Sequence, residues 1–135
     1  MVAVSREWRE IPGRYNLVGS KCSVCGKIYF PTRSFCPACR RASIGKVEPY
    51  SVSRIGEVYT CSIVHDAPEC NNSIKPYAVA MVKMSDGVMI AGQLTNVDLG
   101  KVAIGMKVRA TLRKLDEDGP AGVIHYGYKF VPLEE

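Results

Sequence analysis

Four cysteines in two Cys-x-x-Cys pairs, Cys22 with Cys25 and Cys36 with Cys39, lie ten residues apart in the first third of the chain. Each such turn aims two sulfurs at one centre, and two turns facing each other complete the tetrahedral thiolate cage that Zn²⁺ prefers. Gly26 directly after the first pair suits a backbone turning back toward the sulfurs, and Pro37 stiffens the second. Two disulfides could use the same residues, but adjacent pairs with no secretory signal ahead of them point to a reducing compartment and hence to a metal. Iron is the rival ion, because sulfur spacing does not separate Fe from Zn. Four thiolates leave no coordination position for water, so the expected work of the ion is folding. About twenty residues cannot bury enough apolar surface to hold themselves together, and metal binding supplies the difference.

The other reactive side chains are sparse. The histidines are His65 and His125, and the remaining cysteines are Cys61 and Cys70. Cys61 and His65 fall near one expected strand and Cys70 in a loop, so a thiol and imidazole pair is conceivable, whereas free cysteines commonly act as small buried hydrophobes. There is no glycine-rich phosphate loop, Gly-x-Ser-x-Gly elbow or His-Glu-x-x-His motif. Asp116, Glu117 and Asp118 precede Gly119 and Pro120, which reads as turn chemistry. Catalysis is therefore expected to belong to partner chains.

The elements that must position the cysteines divide the chain into three parts, residues 1–16, 17–48 and 49–135. In the first, Trp8, Ile11 and Tyr15 are spaced three to four apart, which predicts a helical face over Ser5 to Arg14 ending near Pro12 and Gly13. Its aromatics could dock on their own domain or anchor another chain. In the second, Ile28, Tyr29 and Phe30 read as a strand between the knuckles, with Pro31 marking a turn. The third holds five expected strands: Glu57 to His65, Tyr77 to Met84, Val88 to Leu94, Met106 to Arg113 and Gly122 to Val131. Ser85-Asp86-Gly87 is a hairpin signal, and Asn96 to Gly105 leaves room for a turn or short helix. A mainly β chain follows: short N-terminal helix, metal ribbon and five strands whose arrangement suggests an OB-type barrel, with a small open sheet or another five-stranded barrel as the alternatives.

With 135 residues, 47% hydrophobic content and mean hydropathy near zero, the chain can make one globular domain beside the metal module. No segment reaches the length of a membrane span, and Met1 to Arg9 lacks a signal-peptide core, so cytoplasmic residence is expected. The formal charge of +5 is uneven: residues 1–50 carry nine Lys/Arg against three Asp/Glu, and residues 51–135 nine against ten. Lys21, Lys27, Arg40 and Arg41 flank the cysteines and can offset the negative cage, leaving Arg6, Arg9, Arg14 and Arg33 for an acidic or phosphate-bearing partner. A single-strand nucleic-acid binder would need a basic groove with aromatic platforms on barrel strands two and three, which are poor in both. Tyr126, Tyr128 and Phe130 share one face of the last strand, as barrel core or as such a platform.

Taken together, Arg14-Tyr15-Asn16-Leu17 through Gly19, Lys21-Cys22-Ser23-Val24-Cys25-Gly26, Phe30-Pro31-Thr32-Arg33, Cys36-Pro37-Ala38-Cys39 and Ile104-Gly105-Met106-Lys107-Val108 resemble the DUF35 family from Trp8 to about Pro132. The resemblance implies a short helix, a rubredoxin-like zinc ribbon and a C-terminal OB-fold. It further implies a non-catalytic partner of thiolase-like enzymes acting on acyl-CoA, similar to the archaeal subunit that bridges acetoacetyl-CoA thiolase and HMG-CoA synthase in the mevalonate route. On that footing one structural Zn²⁺ is expected on Cys22, Cys25, Cys36 and Cys39. Partner contacts are expected at Trp8, Tyr15 and Arg33, with direct contact to CoA conceivable, no membrane association, and single-strand nucleic-acid binding as the alternative.

Overall fold

The computed structural model describes residues 4–66 and 75–133. Helix α1 (Val4–Asn16) leads into a small antiparallel sheet of β1 (Val18–Cys22), β2 (Ile28–Tyr29) and β3 (Val47–Ser51), ordered β2-β1-β3. The five strands that follow are β4 (Ile55–Val64), β5 (Tyr77–Met84), β6 (Met89–Leu94), β7 (Lys107–Glu117) and β8 (Ile124–Pro132), which close into a barrel in the order β4-β5-β6-β8-β7. The expected three-part order of helix, ribbon and barrel is thus present. β3 straddles the expected border at 48/49 and pairs with β1 along its length, Val18 opposite Ser51 through Cys22 opposite Val47.

Two local expectations are corrected. α1 does not end near Pro12 and Gly13 but runs to Asn16. Pro12 costs the helix one backbone hydrogen bond, and the loss is offset by tertiary partners: the Arg14 guanidinium forks onto Glu7 and Glu10, while Ile11 and Tyr15 are half-buried. The helix is stopped instead by Leu17 in the left-handed region (φ 52°), whose side chain is 1% exposed. Second, Asp116 and Glu117 are not turn residues. β7 continues through them, with a register shift between Lys114 and Asp116, and the reversal is made by the Asp118–Val123 segment, where the Asp118 amide donates to the Val123 carbonyl at 3.0 Å.

The barrel interior alternates as its strands require. Ala78, Ala80, Val82 and Met84 of β5, Ile90 and Leu94 of β6, Val108 and Ala110 of β7 and Phe130 of β8 are buried. Phe130 fits because Gly92 faces it: a Cβ there would stand 2.6 Å from the ring. Leu17 and Val52 belong to the same buried cluster, and Ile28, Phe30 and Tyr50 pack against it. Ribbon and barrel therefore share one core, which fixes the cysteine knuckles on the barrel.

Candidate metal centre

The two knuckles are built alike. In the first, the Gly26 amide donates to the Cys22 carbonyl at 2.8 Å, and in the second the Arg40 amide donates to the Cys36 carbonyl at 2.8 Å. The residue closing each turn has positive φ, 72° at Gly26 and 49° at Arg40. Glycine adopts this conformation freely and arginine does not. The first knuckle was legible from Gly26; the second conceals the same geometry under an arginine.

The four Sγ atoms lie within 4.8 Å of one another, with Cys25 and Cys36 at 3.6 Å. A tetrahedron with metal–sulfur bonds of roughly 2.3 Å has edges of about 3.8 Å, so the residues fit a four-thiolate ion. Cys22 and Cys36 are buried, Cys39 half-buried and Cys25 exposed. Around them, the Ser43 hydroxyl accepts from the Cys36 amide at 2.9 Å and the Tyr29 hydroxyl stands 3.2 Å from the Cys36 sulfur. Without an ion these groups divide the protons unequally. The Tyr29 hydroxyl and neighbouring amides and thiols bring Cys36 down to about 6, while hydrogen bonding to Cys25, with burial, pushes Cys39 up to about 12. Cys36 and Cys39 thus differ in how readily they release a proton, and a divalent cation binding the cluster displaces protons from its thiols.

The remaining candidate residues separate. Trp8 is 76% exposed, against the reading in which it docks on its own domain; it lines a shallow groove with Ile11, Tyr15, Ile124 and Tyr126. Arg33 lies on the ribbon with its guanidinium 5.6 Å from the Tyr29 ring centre. Of the cations left for a partner, Arg6 and Arg14 are already paired with Glu10 and with Glu7 and Glu10. The aromatic face of β8 grades from core to surface: Phe130 is enclosed, Tyr128 packs edge-on between Phe30 and Phe130 at 5.7 and 5.9 Å, and Tyr126 is exposed. Cys61 is half-buried against the core, and His65 is exposed just beyond β4. Four positions apart along extended chain is ~13 Å, so they form no pair. Cys70 lies outside the described residues.

Sequence reasoning missed His125. Its side chain is 9% exposed, with Nδ1 at 3.3 Å from Glu7 and Nε2 at 3.4 Å from Asp118. It joins α1 to the barrel through the carboxylate that also holds Arg14. Only the fold brings positions so far apart in sequence together.

Comparison with known proteins places these features among relatives. Residues 9–45 match the family model described as "ChsH2, rubredoxin-like zinc ribbon domain", and residues 50–113 match "ChsH2, C-terminal OB-fold domain". The chain is 45% identical to a "DUF35 domain-containing scaffold protein" of Methanocaldococcus jannaschii, over 97% of this chain and 92% of that protein. It is 28% identical to a "Probable enoyl-CoA hydratase alpha subunit" of Thermomonospora curvata, over 78% of this chain and 33% of that protein. Among solved structures, a chain of the "Ltp2-ChsH2(DUF35) aldolase" superposes with a TM-score of 0.71 at 24% identity, covering 98% of this chain and 96% of that one, which is a likeness of fold.

Proposed function

Because the chain belongs to the DUF35 family of zinc-ribbon and OB-fold proteins, we propose that it is a non-catalytic scaffold subunit of an acyl-CoA-processing complex. In its specific form the reading is that it bridges acetoacetyl-CoA thiolase and HMG-CoA synthase in the cytoplasm, so that the product of the first is handed to the second. The observation that carries the assembly role is the apolar stripe of α1: Val4 and Trp8 stand 66% and 76% exposed beside Val123, Ile124 and Tyr126 of the barrel. Tryptophan in an exposed apolar setting is a preferred interface anchor. Tyr15 supports the stripe from its half-buried end, and Arg33 offers a second contact on the ribbon.

Cys22, Cys25, Cys36 and Cys39 would hold the ion, with Zn²⁺ favoured over Fe. When bound, it closes the ribbon and adds no open coordination position. The scaffold acts through proximity. Where a condensation equilibrium favours its substrates, holding the next site close raises the effective concentration of the scarce product without new bond-making by the bridge.

Affinity purification of the tagged native protein tests the reading. Stoichiometric recovery of a thiolase-like and a synthase-like chain, with about one zinc per chain by elemental analysis, is the expected result. Turnover of an acyl thioester by the isolated chain would overturn it, and iron in the purified protein would overturn the choice of metal.

A further inference from the structure

The barrel half is slightly acidic by count, yet its outer surface sorts the charges by strand. Facing pairs on β7 and β8 share a side of the sheet: Arg109 opposite Val131, Thr111 opposite Lys129 and Arg113 opposite Gly127. The intervening pair, Ala110 opposite Phe130, is buried in the core. The outer face therefore presents Arg109, Arg113 and Lys129 together. Lys129 is only 7% exposed and has no hydrogen-bond or ion-pair partner among the described residues. Among the described residues no enclosed side-chain nitrogen or oxygen lacks a partner, so the area Lys129 retains includes its ammonium. It lines a cleft of about 400 Å³ with Gln93, Leu115, Gly127 and Arg14. A second hollow of about 360 Å³, lined by Asn96, Arg109, Thr111 and Arg113, opens on the same face. Neither contains a carboxylate. Arg14 is engaged with Glu7 and Glu10, whereas among the described residues Arg113 hydrogen-bonds only to the Thr111 hydroxyl and the Leu112 carbonyl.

The Lys129 stem is packed while its ammonium reaches the surface beside Arg113 with no counter-charge, a placement that favours an anion. We propose that this face of β7 and β8, centred on Lys129 with Arg113 beside it, binds the phosphate groups of a small anionic ligand. Two concave hollows side by side fit compact phosphates better than a long strand, which needs a continuous groove with stacking aromatics. Burial and the Arg113 charge also hold Lys129 below the usual lysine range, a strain that a bound anion relieves. The site lies on barrel strands and is separate from the Trp8 stripe.

The test is calorimetric titration of the full zinc-loaded chain with inorganic pyrophosphate and with ADP at low ionic strength. Wild type is expected to bind both. Lys129→Met, which keeps the packed stem and removes the charge, is expected to weaken binding roughly ten- to hundredfold. Arg113→Gln, on an exposed position, provides the same reading should the first variant fold poorly. Equal affinity for the two ligands identifies free phosphates as sufficient, and markedly tighter ADP binding identifies a nucleotide. No binding by wild type, unchanged binding by both variants, or preferential binding of an oligothymidine with a steep salt dependence overturns the proposal. Recovery of partner enzymes with Lys129→Met is expected to equal wild type, so loss of this site and loss of the assembly role are separately visible.

Discussion

Arg40 carries a backbone conformation that its side chain disfavours. The matching place in the first knuckle holds glycine, and a left-handed non-glycine residue costs about 1 kcal/mol. Arg40→Gly is therefore expected to stabilise the ribbon by about that amount and to tighten zinc binding correspondingly, measured by competition with a chelator; unchanged affinity would mean that the Arg40 side chain contributes as much as its backbone costs. Lys129 offers a second reading at this scale. Burial lowers its pKa in the fold, so between the folded value and the ordinary lysine value the unfolded chain binds more protons. Stability then rises with pH across that window. Lys129→Met is expected to be more stable than wild type at neutral pH. The gap should close above about pH 10.5, where both forms of the lysine are neutral, as followed by urea unfolding against pH.

At the scale of elements, the ribbon is expected to depend on an ion held by its four cysteines and the barrel on its packing. Cys36→Ser, or chelation, is expected to release protection of amides in β1, β2 and β3 while the barrel amides remain protected at reduced stability, because Leu17 and Val52 leave the shared core. Uniform protection after metal removal would show that the sheet holds without it. Phe130 fills the space that Gly92 leaves open. Phe130→Ala should cost about 3–5 kcal/mol, and Gly92→Leu should be comparably harmful through overpacking, both read as shifts of the denaturation midpoint.

For the whole molecule, the proposed function divides contact from closure between the exposed stripe on α1 and the four-cysteine cluster. Trp8 is exposed, so Trp8→Ala should leave the melting temperature unchanged while weakening partner capture by roughly thirtyfold, the loss typical of an aromatic anchor. Equal capture would move the docking surface elsewhere, with Arg33 on the ribbon the next residue to replace. The helix itself is tied to the barrel by a run of polar contacts, Arg14 on Glu7 and Glu7 on His125.

Periodicity and spacing made the four-sulfur cluster, the Ser85-Asp86-Gly87 hairpin and the five barrel strands readable from the chain, because each depends on residues close in sequence. Helix α1 extending past Pro12, β7 continuing through Asp116 and Glu117, and the His125 link to Glu7 were not readable, since each is decided by a partner that only the fold brings near. The same holds for charge. Composition makes the barrel half nearly neutral, but alternation along β7 and pairing with β8 collect Arg109, Arg113 and Lys129 on one outer face. Local sequence thus determined which elements form and which atoms could bind a metal. Tertiary packing decided which side chains remain exposed, which charges are already matched and which ammonium is left without one, because burial and long-range contact are properties of the assembled chain.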